Sequence, residues 1–148
     1  MSDFTVKKYE PLNKVAWDGF ITQSPQATFL FYRNFMEYHQ DQFDDFSLMI
    51  YKNNRLIGVL PAHKKDNQVF SHRGLTYGSF VFLAQLKFAD TLYAVKAVLT
   101  LLEDYKIESL KIKMLPEIYN SETNHALPYI FNQLKAELTE INNFSVVQ

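Results

Sequence analysis

No cysteine occurs among the 148 residues, which excludes disulfide staples, thiol catalysis and cysteine-held metals. Histidines are few, and His39, His63, His72 and His125 show neither the i, i+4 pairing nor the HExxH pattern of a metal site. There is no P-loop and no G-x-S-x-G elbow. The N-terminus "MSDFTVKKYE" lacks the apolar core of a signal peptide, and no apolar run reaches the roughly 20 residues of a membrane span. Neither sign of charge dominates: 15 basic and 16 acidic residues leave a net charge of −1, so no electrostatic footprint for nucleic acid is present. Together these absences imply a cytoplasmic protein.

What the chain does have is apolar and aromatic. Hydrophobic residues make up 47% and charged residues 21%, enough for one domain, residues 1–148, with a core that needs no staples. Thirteen Phe, nine Tyr and one Trp fill such a core or supply a surface that stacks on a ligand.

"FTVKKYE" alternates and reads as a first strand that Pro11 ends. Leu12, Val15, Ala16 and Phe20 recur at helical spacing. Thr28 is placed to cap a second helix, "FLFYRNFMEYHQ". On that helix Phe31, Tyr32, Phe35, Met36 and His39 share one face, with Arg33, Asn34 and Glu37 on the other. Asp44 and Asp45 are adjacent and read as a solvated loop. "FSLMIYKNNRLIGVLPAHKK" carries the clearest signal, two β-rich runs around Asn53-Asn54, a pair that tolerates the positive φ of a tight hairpin. Leu48 and Ile50 alternate with Met49 and Tyr51, so both faces are apolar and the hairpin requires helices on each side. "QVFSH" starts another strand; "LAQLKFAD" is a loop ending in Asp90 as cap; Leu92, Val95, Leu99 and Leu102 form a helical stripe. "ESLKIKMLP" alternates as a strand, a last helix runs through Leu127, Ile130, Phe131, Leu134 and Leu138 with Pro128 in its first turn, and "NFSVVQ" reads as a final strand. The order is β-α-α-β-β-β-β-α-β-α-β, an α/β (α+β) domain with a mixed, mostly antiparallel sheet.

That order resembles the GNAT acyltransferase fold. The stretch from Ala16 to Phe82, with "FLFYRNFMEYH", the Asn-Asn hairpin and "GLTYG" in sequence, resembles the amino half of FemAB-like proteins, which carry two GNAT-like halves in tandem; "LPEIYNS" near residue 115 is similar too. The resemblance implies transfer of an acyl or aminoacyl group to an amine of a small-molecule or peptide-like acceptor, in a bacterial cell-wall or surface-polysaccharide setting. Gln148 falls about where one half would end, so the chain is expected to shape an acceptor cleft and to depend on a second GNAT-like half, or on a homo-oligomer formed through an open sheet edge. Aminoacyl-tRNA is implied as a donor by the resemblance alone. The alternatives are a complete small CoA-dependent N-acetyltransferase and a non-catalytic interaction module.

GNAT domains that bind acetyl-CoA wrap its diphosphate with a Gly-rich loop ahead of a helix. "LAQLKFAD" stands at that place without a glycine and with Lys87 as its one cation. No cofactor is therefore expected in this half, with acetyl-CoA as the alternative. The candidate substrate-binding residues are Arg33, His39, His72, Arg73, Tyr77, Gly78, Lys113 and Tyr119. Gly74 and Gly78 admit a close backbone approach or simply bend a strand. Tyr77 between them offers a proton donor or acceptor. His72 and Arg73 point to opposite faces of a strand, so one of them faces any given cleft. His72 has a reference pKa near neutrality, as a general base needs. Lys113 and Tyr119 flank Pro116 at a strand end, where ligands of α/β proteins gather.

Overall fold

A computed structural model describes residues 3–24, 27–38, 43–71, 78–114 and 126–136. Its elements are β1 (Phe4–Lys8), α1 (Lys14–Gln23), α2 (Arg33–Met36), β2 (Asp44–Asp45), β3 (Leu48–Lys52), β4 (Arg55–Leu60), β5 (Ala62–Lys65), β6 (Gln68–Ser71), β7 (Val81–Phe82), α3 (Phe88–Asp104), β8 (Ser109–Lys111) and α4 (Ala126–Gln133). Short 3₁₀ turns at Pro11–Asn13 and Phe29–Phe31 precede α1 and α2. The strands form two four-stranded sheets, β1-β3-β4-β7 and β2-β5-β6-β8. All strand pairs are antiparallel except β6 with β8. The pairing is mixed and mostly antiparallel, as the sequence implies, but it is divided between two sheets rather than held in one.

The hairpin forms as expected. Asn53 and Asn54 take φ of 49° and 67°, the left-handed pair that a type I′ turn demands. A bulge follows, because Ile50 pairs with Gly58 while Tyr51 pairs with Leu56, leaving Ile57 as the extra residue. Any side chain at Gly58 forces a shift: a Cβ there would stand 2.6 Å from Cδ1 of Phe82, its cross-strand partner.

Both faces of the hairpin are covered, again as its pattern requires. Leu48, Ile50, Ile57 and Leu60 join Val95, Val98 and Leu102 of α3 and Leu127 and Ile130 of α4 in one core. Met49, Val59 and Val81 point the other way, to Trp17, Phe20 and Ile21 of α1 and to Leu30, Phe31 and Met36.

Three local expectations are corrected. The second helix is not continuous: Tyr32 is extended, with ψ 140°, and the Asp18 carboxylate of α1 accepts the Arg33 N–H at 2.9 Å, starting a new short helix there. Phe35, expected inside, is 42% exposed, and so are Leu12 at 80% and Val15 at 85%. Helix α3 starts at Phe88, two residues before Asp90, and its buried stripe is Thr91, Ala94, Val95, Val98 and Leu102, which leaves Leu99 at the surface. Beyond residue 136, the expected "NFSVVQ" strand lies outside the described residues. Among the described residues no helix is long and apolar enough to cross a membrane.

Candidate functional site

Strand β6 pairs with β5 and β8 in one sheet, and β7 pairs with β4 in the other. The end of β6 and the approach to β7 are linked through one residue just past β8. Lys113 donates its N–H to Ser71 Oγ at 2.6 Å, and its carbonyl accepts the Gly78 N–H at 2.9 Å. Gly78 and Lys113, both candidates from the sequence, are thus direct partners across an isolated antiparallel bridge. Beyond it β7 and β8 are not paired with each other among the described residues, and each is the edge strand of its own sheet. His72, Arg73 and Tyr77 belong to the segment between Ser71 and Gly78 and lie outside the described residues, as do His39 and Tyr119.

A cleft of about 640 Å³ opens at the other end of β7. The chain leaves that strand with the Leu83 N–H bonded to the Ile57 carbonyl at 3.1 Å, turns through Ala84 and Gln85, and enters α3 at Lys87. Gln85 holds φ at 60°, a conformation that favours glycine, so the turn is made at a cost in strain. Lys87 is extended (φ −66°, ψ 146°), and no side chain caps the helix. The first-turn amides of this 17-residue helix therefore carry their partial positive charge toward the turn without a side-chain acceptor. Lys52, Arg55 and Lys87 line the cleft against a single carboxylate, Asp90, which Lys52 neutralises at 2.9 Å. This donor set fits an anionic group such as a phosphate at the helix end. It does not offer the close backbone wrap that glycines give, since every residue from Leu83 to Lys87 carries a Cβ. The place and its missing glycines are legible in the sequence; Lys52 and Arg55 are not, because their approach depends on the hairpin folding back beside β7.

Arg33 has a different environment from the solvated helix face that its spacing suggested. Its side chain is 3% exposed. Nε reaches Glu37 at 3.2 Å, Nη1 reaches Ser47 Oγ at 3.2 Å, and Nη2 is paired with Asp45. The guanidinium lies 3.8 Å from the Tyr9 ring centre and 5.2 Å from that of Trp17. Asp45 is correspondingly no solvated loop residue: it sits in β2 beside His63 and also accepts the Ser47 N–H at 2.9 Å. Burial raises the Tyr9 pKa, the Arg33 charge opposing and Glu37 adding to the rise. With its donors engaged by Glu37, Ser47 and Asp45 and its face on the Tyr9 and Trp17 rings, Arg33 ties α1, α2 and β2 to the chain just beyond β1. Among the described residues no three His, Asp or Glu side chains come together as a metal site would need.

These elements define a GNAT acetyltransferase fold: an antiparallel run with two early helices on one face, a helix launched from the end of the run, and a parallel strand returning beside it. Solved structures carry the same arrangement. The chain is similar to an aminoglycoside N-acetyltransferase in complex with CoA (TM-score 0.56, 14% identity, 98% of this chain and 95% of that one). It is similar as well to an aminoglycoside acetyltransferase from an uncultured soil metagenomic sample (TM-score 0.57, 12% identity, 100% and 99%). The ribosomal-protein-S18-alanine N-acetyltransferase of Escherichia coli matches with TM-score 0.54 at 9% identity, over 88% of this chain and 76% of that one. No protein-family model and no curated protein matches the chain by sequence.

Proposed function

We propose that this chain is an acyltransferase that takes its acyl group from a CoA thioester and delivers it to the amine of a small-molecule or peptide-like acceptor. The observation that carries this reading is the whole-chain fit to GNAT-fold acetyltransferases, running over 95–99% of two of those chains, together with an uncapped α3 terminus in a cationic cleft. It favours a unit that holds its own donor over the amino half expected from the sequence.

In this reading the first-turn amides of α3, with Lys87 and Arg55, hold the phosphates of CoA, and the bound thioester supplies an activated acyl carbon. The edges of β7 and β8, beside the Gly78–Lys113 bridge, are where the reacting portion is received. An amine attacks only in its neutral form, so the acceptor side needs a group that takes its proton near neutral pH. His72 is the proposed base, with Tyr77 as a hydrogen-bonding partner of the acceptor and Arg73 on the opposite face. His39 and Tyr119 stay as proposed acceptor contacts. Arg33 serves by positioning the helices above the sheet rather than by touching substrate.

Calorimetric titration with CoA tests the proposal: saturable binding that Lys87→Glu weakens is expected, and a wild-type chain that binds no CoA at millimolar concentration overturns it. A second reading follows from the glycine-free loop. Here the chain is the amino half of a FemAB-like cell-wall acyltransferase, and it lacks a donor of its own. That reading predicts no turnover by the chain alone and turnover once a second GNAT-like unit is supplied.

A further inference from the structure

Phe88 opens α3 with 46% of its surface exposed, and Tyr129 of α4 is 55% exposed. Neither belongs to a core cluster, yet their rings meet edge to face with centroids 5.5 Å apart and planes at 65°. In such a pair one ring offers its edge and keeps its faces free. A helical side chain leans toward the N-terminal end of its helix, and Phe88, the first residue of α3, directly follows Lys87, which lines the cleft. Two elements far apart in sequence thus bring an open aromatic surface beside an exposed cation.

The geometry points to this pair as a platform for a purine base, with Lys87 beside it for the phosphates that accompany such a base. Aromatic faces stack on any base, and an anionic ligand with an adenine at one end matches both halves of the surface. The occupant is the nucleotide end of CoA, and the inference therefore rests on the proposed CoA-dependent function. It adds to that function a source of affinity separate from the thioester: the chain holds CoA by its base as well as by its phosphates. This also offers a physical answer to the glycine-free turn, since contacts at the base replace part of the backbone wrap.

The test is calorimetric titration of wild type, Phe88→Ala, Tyr129→Ala and Tyr129→Phe with CoA, 4′-phosphopantetheine and ATP, with melting temperatures recorded for each variant. Both rings are surface residues, so the variants should melt close to wild type. Loss of either ring should raise the Kd for CoA about tenfold. Tyr129→Phe should bind like wild type, and binding of phosphopantetheine should not change in any variant. CoA affinity unchanged in both alanine variants overturns the platform and leaves the CoA reading standing. Phosphopantetheine binding as tightly as CoA does the same, and ATP binding more tightly than CoA assigns the surface to a free nucleotide and overturns the occupant. Absence of CoA binding by wild type overturns both readings together.

Discussion

On the α3–α4 side of the central sheet, Leu48, Ile50, Leu60, Val95 and Val98 meet beneath a helix of 17 residues whose buried positions are Thr91, Ala94, Val95, Val98 and Leu102. On the α1–α2 side the cover is a 10-residue helix, a 3₁₀ turn and a 4-residue helix, and a guanidinium is buried among Tyr9, Trp17 and Met36. A long amphipathic helix covers a sheet by apolar burial along its stripe. Pieces of one to three turns do not hold themselves together and require directed contacts. Arg33 supplies them, as does the Trp17 indole N–H on the Phe31 carbonyl at 2.8 Å and Ser24 Oγ on the Phe82 carbonyl at 2.8 Å. The fold uses surface area on one face and geometry on the other.

The largest test of that contrast is Arg33→Ala, which removes one cation from three polar partners and two rings. A loss of about 3–5 kcal/mol is expected in urea unfolding, at the lower end because Glu37 and Asp45 keep about a third of their side-chain surface in water. Arg33→Lys should recover less than half of it, since an ammonium does not reproduce the fork. If Lys restores stability fully, the clamp acts by charge alone and the contrast fails. Leu48→Ala, on the other face, should cost about 2–5 kcal/mol whichever charged residue it is carried with, because its packing is nondirectional. Gly58→Ala should cost about 1–3 kcal/mol by forcing a methyl against the Phe82 ring, and pairing it with Phe82→Leu should return part of that loss. The smallest effect concerns pH. Burial raises the Tyr9 pKa, so the folded state holds the phenol proton more tightly than the unfolded chain. The stabilisation is complete below the usual tyrosine value near 10 and is lost as pH climbs through the folded-state value. Tyr9→Phe should therefore lose less stability than wild type between pH 9 and 11, and identical pH profiles would remove Tyr9 from the polar side of the comparison.

How much of this can be read from the chain alone differs between the same two faces. The Asn53-Asn54 turn and the alternation of Leu48 and Ile50 with Met49 are local signals, and they place the hairpin, its two-sided burial and the fold class. The stripe of α3 is legible to within one position of its register, because Leu92 and Leu99 are as apolar as the residues that are buried. The aromatic side is opaque for a physical reason. Arg33 finds Asp45 and Ser47 twelve and fourteen residues onward and its rings at Tyr9 and Trp17, and no periodicity records contacts of that kind. Helical spacing likewise says nothing of which apolar positions are covered: Leu12 and Val15 share the spacing of Phe20, yet they are exposed and Phe20 is buried. For the site, the turn between β7 and α3 and the candidates Gly78 and Lys113 are visible as residues, whereas the direct pairing of those two depends on segments that the sequence separates by a helix.

Strand β1 pairs with β3 and not with β2, so everything from Tyr9 to Ser47, the whole Arg33 clamp included, lies in the loop that this pairing closes. Time enters here. The β3–β4 hairpin closes over two residues, while β1 must search across that whole intervening stretch before its ladder forms. The hairpin should therefore form early in folding and the clamp late: substitutions at Leu48 should slow refolding in stopped-flow measurements, and those at Arg33 should appear chiefly as faster unfolding.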